Sequence, residues 1–140
     1  MPGAYGLPKT EILRYKRAFS YLFEHGSPFR SGVLKFFFVT NCPSEFAQAP
    51  VSVAFSAPKR RFKHAVDRNF LKRRMRESYR LHKSMVADHL PKDIHNLLIL
   101  ISYQNNKKLP YASIERHMIK GLRILTEKLS DTAQSSRKNA

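Results

Sequence analysis

VSVAFSAPKRRFKHAVDRNFLKRRMRESYRLHK, residues 51 to 83, changes its apolar period halfway along, and that change decides the fold. Val51, Val53, Phe55 and Ala57 alternate with Ser52, Ala54 and Ser56, which predicts a strand with a large apolar face and a small, partly polar, accessible one. Pro58 stops the alternation. From about Ala65 the spacing becomes helical: Leu71, Met75, Ser78, His82 and Met85 share one stripe, while Arg68, Lys72, Arg73, Arg76, Arg80 and Lys83 fill the neighbouring arc. One side of this helix can dock on a sheet while the other presents positive charge. The charge is dense, with eleven Lys or Arg against two acids between Lys59 and Lys83.

The flanks supply the rest of an α/β domain. Residues 1–10 hold two prolines and two glycines and predict a flexible extension. From Glu11, the spacing of Ile12, Tyr15 or Lys16, Phe19, Leu22 and Phe23 predicts an amphipathic helix bearing Arg14, Lys16 and Arg17 and ending at His25-Gly26. Gly26 to Gly32, interrupted by Pro28, reads as a turn, and Val33 to Thr40 as a strand followed by a loop through Pro50. Pro91 bounds the basic helix region. Leu97 to Tyr103 is a continuous apolar strand, and Gln104 to Pro110 a polar turn. A last helix is expected from Ala112 to Leu129, burying Ile114, Met118, Leu122, Leu125 and Leu129. Gly121 inside it costs about 1 kcal/mol relative to Ala at an exposed site, so close packing is the physical reason to keep it. Residues 11–130 thus form one domain, followed by a flexible tail over 131–140.

Composition narrows the partner. Lys plus Arg number 26 against 10 Asp plus Glu, a net charge of +16, far beyond what solubility needs. Such an excess points to a polyanion. Arginines donate paired hydrogen bonds to phosphate and lysines add mobile charge, contacts that position a nucleic acid without reading its bases. A membrane surface suits the chain less well, because docking on the sheet would consume the helix's apolar stripe. The start has no basic segment leading into an apolar run, and no apolar run spans a bilayer, so neither a signal peptide nor a membrane anchor is expected. Cys42 is the single cysteine; it favours a reducing compartment, taken here as the cytoplasm, and nothing nearby in sequence activates it. The six histidines, at 25, 64, 82, 89, 95 and 117, have no zinc spacing. Phe19, Phe23, Phe36, Phe38, Phe55, Phe62 and Phe70 can each stack on unpaired bases or fill the core.

Arg68-Asn69, Lys72-Arg73 and Arg76-Glu77, preceded by Lys59-Arg60 and Ala65-Val66, resemble the arginine-rich signature of the bacterial ribonuclease P protein component family. The likeness runs in order from Leu13 to Leu129. It implies a compact two-layer α/β sandwich whose mixed, mostly antiparallel sheet contains an unusual left-handed β-α-β crossover, where strand twist alone favours a right-handed one. It implies that a catalytic RNA subunit performs the endoribonuclease chemistry, removing the 5′ leader of precursor tRNA with a divalent metal, magnesium, held mainly by RNA. The protein would be a monomer outside the ribonucleoprotein and would carry no catalytic residue. The RNA-binding set implied is Lys59, Arg60, Arg61, Arg68, Asn69, Lys72, Arg73, Arg76 and Arg80, with Glu77 either organising the arginines or touching RNA. The leader-binding set is Arg17, Phe19, Phe23, Ser52 and Ser56, where Phe19 and Phe23 serve packing, leader contact or both. Phe70 departs from the family, many members of which have a basic residue there. The alternative reading of the residues is a non-enzymatic basic RNA-binding scaffold of another ribonucleoprotein.

Overall fold

The apolar run becomes the spine of the sheet. In the computed structural model, which describes residues 16–46 and 49–138, Leu97–Tyr103 forms strand β4, buried along its whole length between two neighbours. Before it in the chain come α1 (Lys16–His25), β1 (Ser27–Ser31), β2 (Leu34–Thr40), a 3-10 turn at Ser44–Phe46, β3 (Val51–Ser56), α2 (Ala65–His82) and the short α3 (Ser84–Ala87); α4 (Tyr111–Lys138) follows. The sheet order is β1-β2-β4-β3. β1 and β2, and β2 and β4, are antiparallel, whereas β3 and β4 are parallel, a pairing that needs the long crossover α2 supplies. The expected extension over 1–10 and the predicted helix start at Glu11 lie outside the described residues.

Side-chain alternation sorts the sheet into two faces. Leu34, Phe36 and Phe38 of β2, Val51 and Val53 of β3, and Ile99, Ile101 and Tyr103 of β4 join Leu71, Met75 and Tyr79 of α2 and the α4 stripe Ile114, Met118, Leu122, Leu125 and Leu129 in the main core. The opposite face carries Ala54, Leu98 and Leu100, covered by Ala18 and Leu22 of α1 with Cys42. This second packing corrects one expectation. The small face of β3 was expected to stay accessible, but Ala54 packs into the cluster with Ala18 and Leu22 and Ser52 is 2% exposed, so on this face only Ser56, farther along, remains half-buried.

Two boundaries also differ. Ser27–Ser31, expected within a turn, is a strand, paired from Ser27↔Phe38 to Ser31↔Leu34. It lies at the sheet edge, where Pro28 can be accommodated because only one side of the strand needs partners. Gly32 and Val33 are the two-residue hairpin loop, and Gly32 at φ +58° supplies the positive φ that such tight loops demand. The last helix continues through Lys138 instead of ending near Leu129. Nothing in 130–138 is Gly or Pro, so no breaker ends the helix at the last residue of its apolar period.

Gly121 has the packing reason anticipated for it. It is buried on α4, and a Cβ there would press into the Phe36 ring, which stacks on Phe29 at 4.9 Å between centroids. Gly121→Ala should therefore lower stability by about 1–3 kcal/mol despite its better helix propensity, measured by urea unfolding. A more stable variant would contradict this packing account.

His117 supplies a pH dependence. It packs on the Gly32 turn, its Nδ1 is buried without a hydrogen-bond partner, and its backbone carbonyl accepts from Ser31 Oγ at 2.7 Å. Burial, reinforced by Arg116 and Lys120, holds its pKa below 6.5. The folded state therefore favours the neutral ring, and the unfolded chain binds more protons as pH falls below 6.5. Melting temperature should decline over that acid window, and His117→Gln should flatten the decline. An identical pH profile in the variant would rule out this assignment.

Candidate nucleic-acid interface

The basic helix is anchored before it is offered. At the entrance to α2 the N-cap residue His64 makes no side-chain cap, and the chain is held instead by Arg68, whose Nη1 donates to the carbonyls of Phe62 and Lys63 at 2.9 and 2.8 Å. Arg61 reaches across to the loop after β4, donating to Asn106 Oδ1 at 2.9 Å and Gln104 Oε1 at 3.2 Å. Lys108 of that loop returns a bond to Asp67 in the first turn of α2, Nζ to Oδ1 at 2.9 Å. This bond and the Lys108 charge hold the Asp67 carboxyl below its usual pKa. Asp67 also suits the positive end of the helix dipole.

These ties divide the expected RNA-binding set. Lys59, Arg60, Asn69, Arg73 and Arg76 are exposed, and Lys72 is half-buried. The helical repeat puts Asn69, Arg73, Arg76 and Arg80 on one face, with Arg68 and Lys72 beside it. Arg61 and Arg68 have structural partners as well as charge. Arg80 is bound to Glu77 through both carboxylate oxygens, with Nε to Oε2 at 3.2 Å. This pair lowers the Glu77 pKa and raises that of Arg80, so both remain charged at neutral pH. Of the two partners expected for Glu77, Arg73 and Arg80, the ion pair is made with Arg80.

A second surface lies across the sheet. Phe23 of α1 is 60% exposed and meets Phe37 of β2 edge-on, with centroids 5.5 Å apart. Lys35 Nζ lies 5.0 Å over the other aromatic of that pair, Phe37, and the guanidinium of Arg17 lies 5.9 Å from Phe46. Phe19 is half-buried against the small core, so the helix surface is part packing and part open aromatic. The strand register sets Arg30, Lys35, Ser102 and Ser56 in one row across this face, one row on from Phe37, Leu100 and Ala54. Ser56 ends that row two residues before Pro58 and the exposed Lys59-Arg60 pair.

Of the leader-binding set, the structure brings Phe19, Phe23 and Ser56 to this face, with Arg17 near Phe46. Ser52 shares the face but is buried, 2% exposed, and has no open side. Lys35, Phe37 and Arg30 were not singled out by the sequence pattern. Alternation along Leu34–Thr40 was the available signal, since it puts Phe37 and Lys35 opposite the buried Phe36 and Phe38. Phe62 is also buried, Phe55 is half-buried, and Phe70 is 40% exposed.

Cys42 is buried, and burial pushes its thiol pKa up, away from the reactive thiolate. Among the described residues no group of three or more His, Cys, Asp and Glu is placed to hold a metal ion. The two acids of α2 are each engaged by a cation. No described helix is long and apolar enough to cross a membrane.

The Ribonuclease P family model matches residues 7–126. The chain is 35% identical to the ribonuclease P protein component of Chlorobaculum tepidum, over 94% of this chain and 90% of that one. It is 32% identical to the corresponding protein of Porphyromonas gingivalis, over 86% and 87% of the two chains. Among solved structures, the Staphylococcus aureus RNase P protein superposes with a TM-score of 0.65 at 21% identity, covering 84% of this chain and 96% of that one. The Thermotoga maritima RNase P protein gives 0.63 at 19% identity, covering 81% and 96%. The family-model match and the two sequence relatives, with the same fold in the solved structures, establish that the chain belongs to the ribonuclease P protein component family.

Proposed function

We propose that this chain is the protein subunit of a ribonucleoprotein endoribonuclease, binding a catalytic RNA through α2 and the 5′ leader of precursor tRNA along the face between α1 and the sheet. The observation that carries this reading is the pairing of two unlike surfaces on one small fold. The arc of Asn69, Arg73 and Arg76 is suited to a folded phosphate backbone, and the open Phe23-Phe37 edge with Lys35 to an unpaired strand. A scaffold that only bridges RNA helices has no use for the second surface, and family membership does not favour it.

On this reading Lys59 and Arg60 link the surfaces, and Arg61, Arg68 and Arg80 act both as charge and as braces. The RNA breaks the phosphodiester bond. The divalent metal, magnesium by family resemblance, is held mainly by RNA phosphates, because the described acids nearest the arc are already engaged by cations. The protein is a cytoplasmic monomer until it assembles, and the β3-α2-β4 connection has the left-handed sense that the resemblance implies.

Reconstitution tests the division of labour. Cleavage of precursor tRNA should be stimulated when protein joins the catalytic RNA, and protein alone should be inactive; cleavage by protein alone would overturn the mechanism. Arg73→Ala combined with Arg76→Ala should weaken assembly and reduce the slope of log affinity against log salt by roughly 0.7–0.9 per lost phosphate contact. Cleavage at saturating protein should be largely retained.

Phe23→Ala tests the leader surface separately. Because the side chain is 60% exposed, stability should change little. Affinity for precursor tRNA should fall about 5–10-fold, the lower part of the range for one lost stacking contact, while affinity for leader-free tRNA is unchanged. Equal losses for both ligands would remove the leader assignment.

A further inference from the structure

A groove between α2 and α4 is distinct from the leader surface. It is a shallow, open depression of about 420 Å³ lined by Phe70, Arg73, Arg74, Glu77 and Tyr111, a shape that suits one planar base laid against its wall. Phe70 belongs to neither core cluster and stays 40% exposed in the second turn of a strongly basic helix. We propose that this groove receives a single unpaired guanine from the RNA partner. The proposal rests on the RNA-binding reading above and deepens it with a base-reading site.

The residues divide the recognition among themselves. The Arg74 guanidinium lies 4.2 Å from the Phe70 ring centroid, and Lys108 Nζ lies 5.7 Å from it. Aromatic rings and guanidinium planes are both platforms for splayed-out bases, so Phe70 and Arg74 together form a ledge on which a base extends the stack. Arg73, exposed at the same groove, is placed for the attached phosphate. Tyr111 forms the α4 wall; its hydroxyl donates to Glu115 at 3.2 Å, and burial pushes its pKa up to about 12, which keeps it neutral.

Glu77 sets the preference. Arg80 holds it ionised and occupies the edge its two oxygens share, so a base meets the outer lone pair of one oxygen, which only accepts and on which two adjacent donors can converge. Guanine has two adjacent donors on its pairing edge, N1–H and the N2 amine. Adenine and cytosine put an acceptor beside their amine, and uracil flanks its one donor with two carbonyls, so each turns a repulsive acceptor toward a carboxylate. Arg80 also neutralises Glu77, which lowers the electrostatic cost of bringing an anionic strand to it.

The test is equilibrium binding of the full-length chain to fluorescent UUUGUUU, UUUAUUU and UUUIUUU, where inosine lacks only the N2 amine of guanine. Wild type should bind the guanine oligomer roughly 10-fold more tightly than the other two, within the range for one good base contact. Glu77→Gln should remove that preference, and Phe70→Leu should weaken the guanine oligomer about 5-fold. Circular dichroism should match wild type for both variants. Equal, salt-sensitive binding of all three oligomers by wild type would overturn the guanine site and leave the RNA-binding reading standing. A guanine preference that survives both substitutions would overturn its assignment to this groove. No binding of any oligomer or of the catalytic RNA would remove both.

Discussion

Everything the basic helix does depends on the burial of Leu71, Met75 and Tyr79 against α4 and the sheet. Full burial of such side chains contributes roughly 1.5–3 kcal/mol each. Against it stand the like-charge pairs Arg68/Lys72, Lys72/Arg76 and Arg76/Arg80 at i,i+4, each costing about 0.2–0.5 kcal/mol on a helix surface. Packing wins by a margin of several kcal/mol, so the protein can hold its cations on one face without RNA to neutralise them. The same narrow stripe fixes rotation about the helix axis, which decides that Asn69, Arg73 and Arg76 point outward.

The few acids near the helix are spent on positioning. Asp67 clasps Lys108 and ties the start of α2 to the loop before α4, while Glu77 orients Arg80. Both are exposed ion pairs whose contribution to global stability is small. Their value lies in geometry: they hold the loops and arginines in a fixed arrangement, which reduces the ordering cost when a ligand binds. The sheet plays the corresponding part for α1. Ala54, Leu98 and Leu100 seat Ala18 and Leu22, and this packing leaves Phe23 hanging over the edge of Phe37.

Much of this was legible in the residues. The start of α2 at Ala65, the span of β4 and the buried stripe of α4 follow from apolar period alone. Period is a strong signal when an element has one buried face or two. It failed at Ser27–Ser31, where Pro28 and two bounding glycines look like a turn; pairing with β2 overrides that local preference. It failed again past Leu129, because a helix can outlast the surface that buries it.

The sequence by itself determined the α/β class, the two-sided character of the basic helix and the preference for a polyanionic partner, since composition and periodicity are local properties of the chain. The arginine signature supplied the family. Tertiary structure decided which charges are braces and which are exposed, because the partners of Arg61 and Lys108 lie about forty residues away along the chain. It also decided that Ser52 is covered while Phe23 and Phe70 are open. Burial is set by what the rest of the chain brings across a face, and no window of sequence around one residue contains that information.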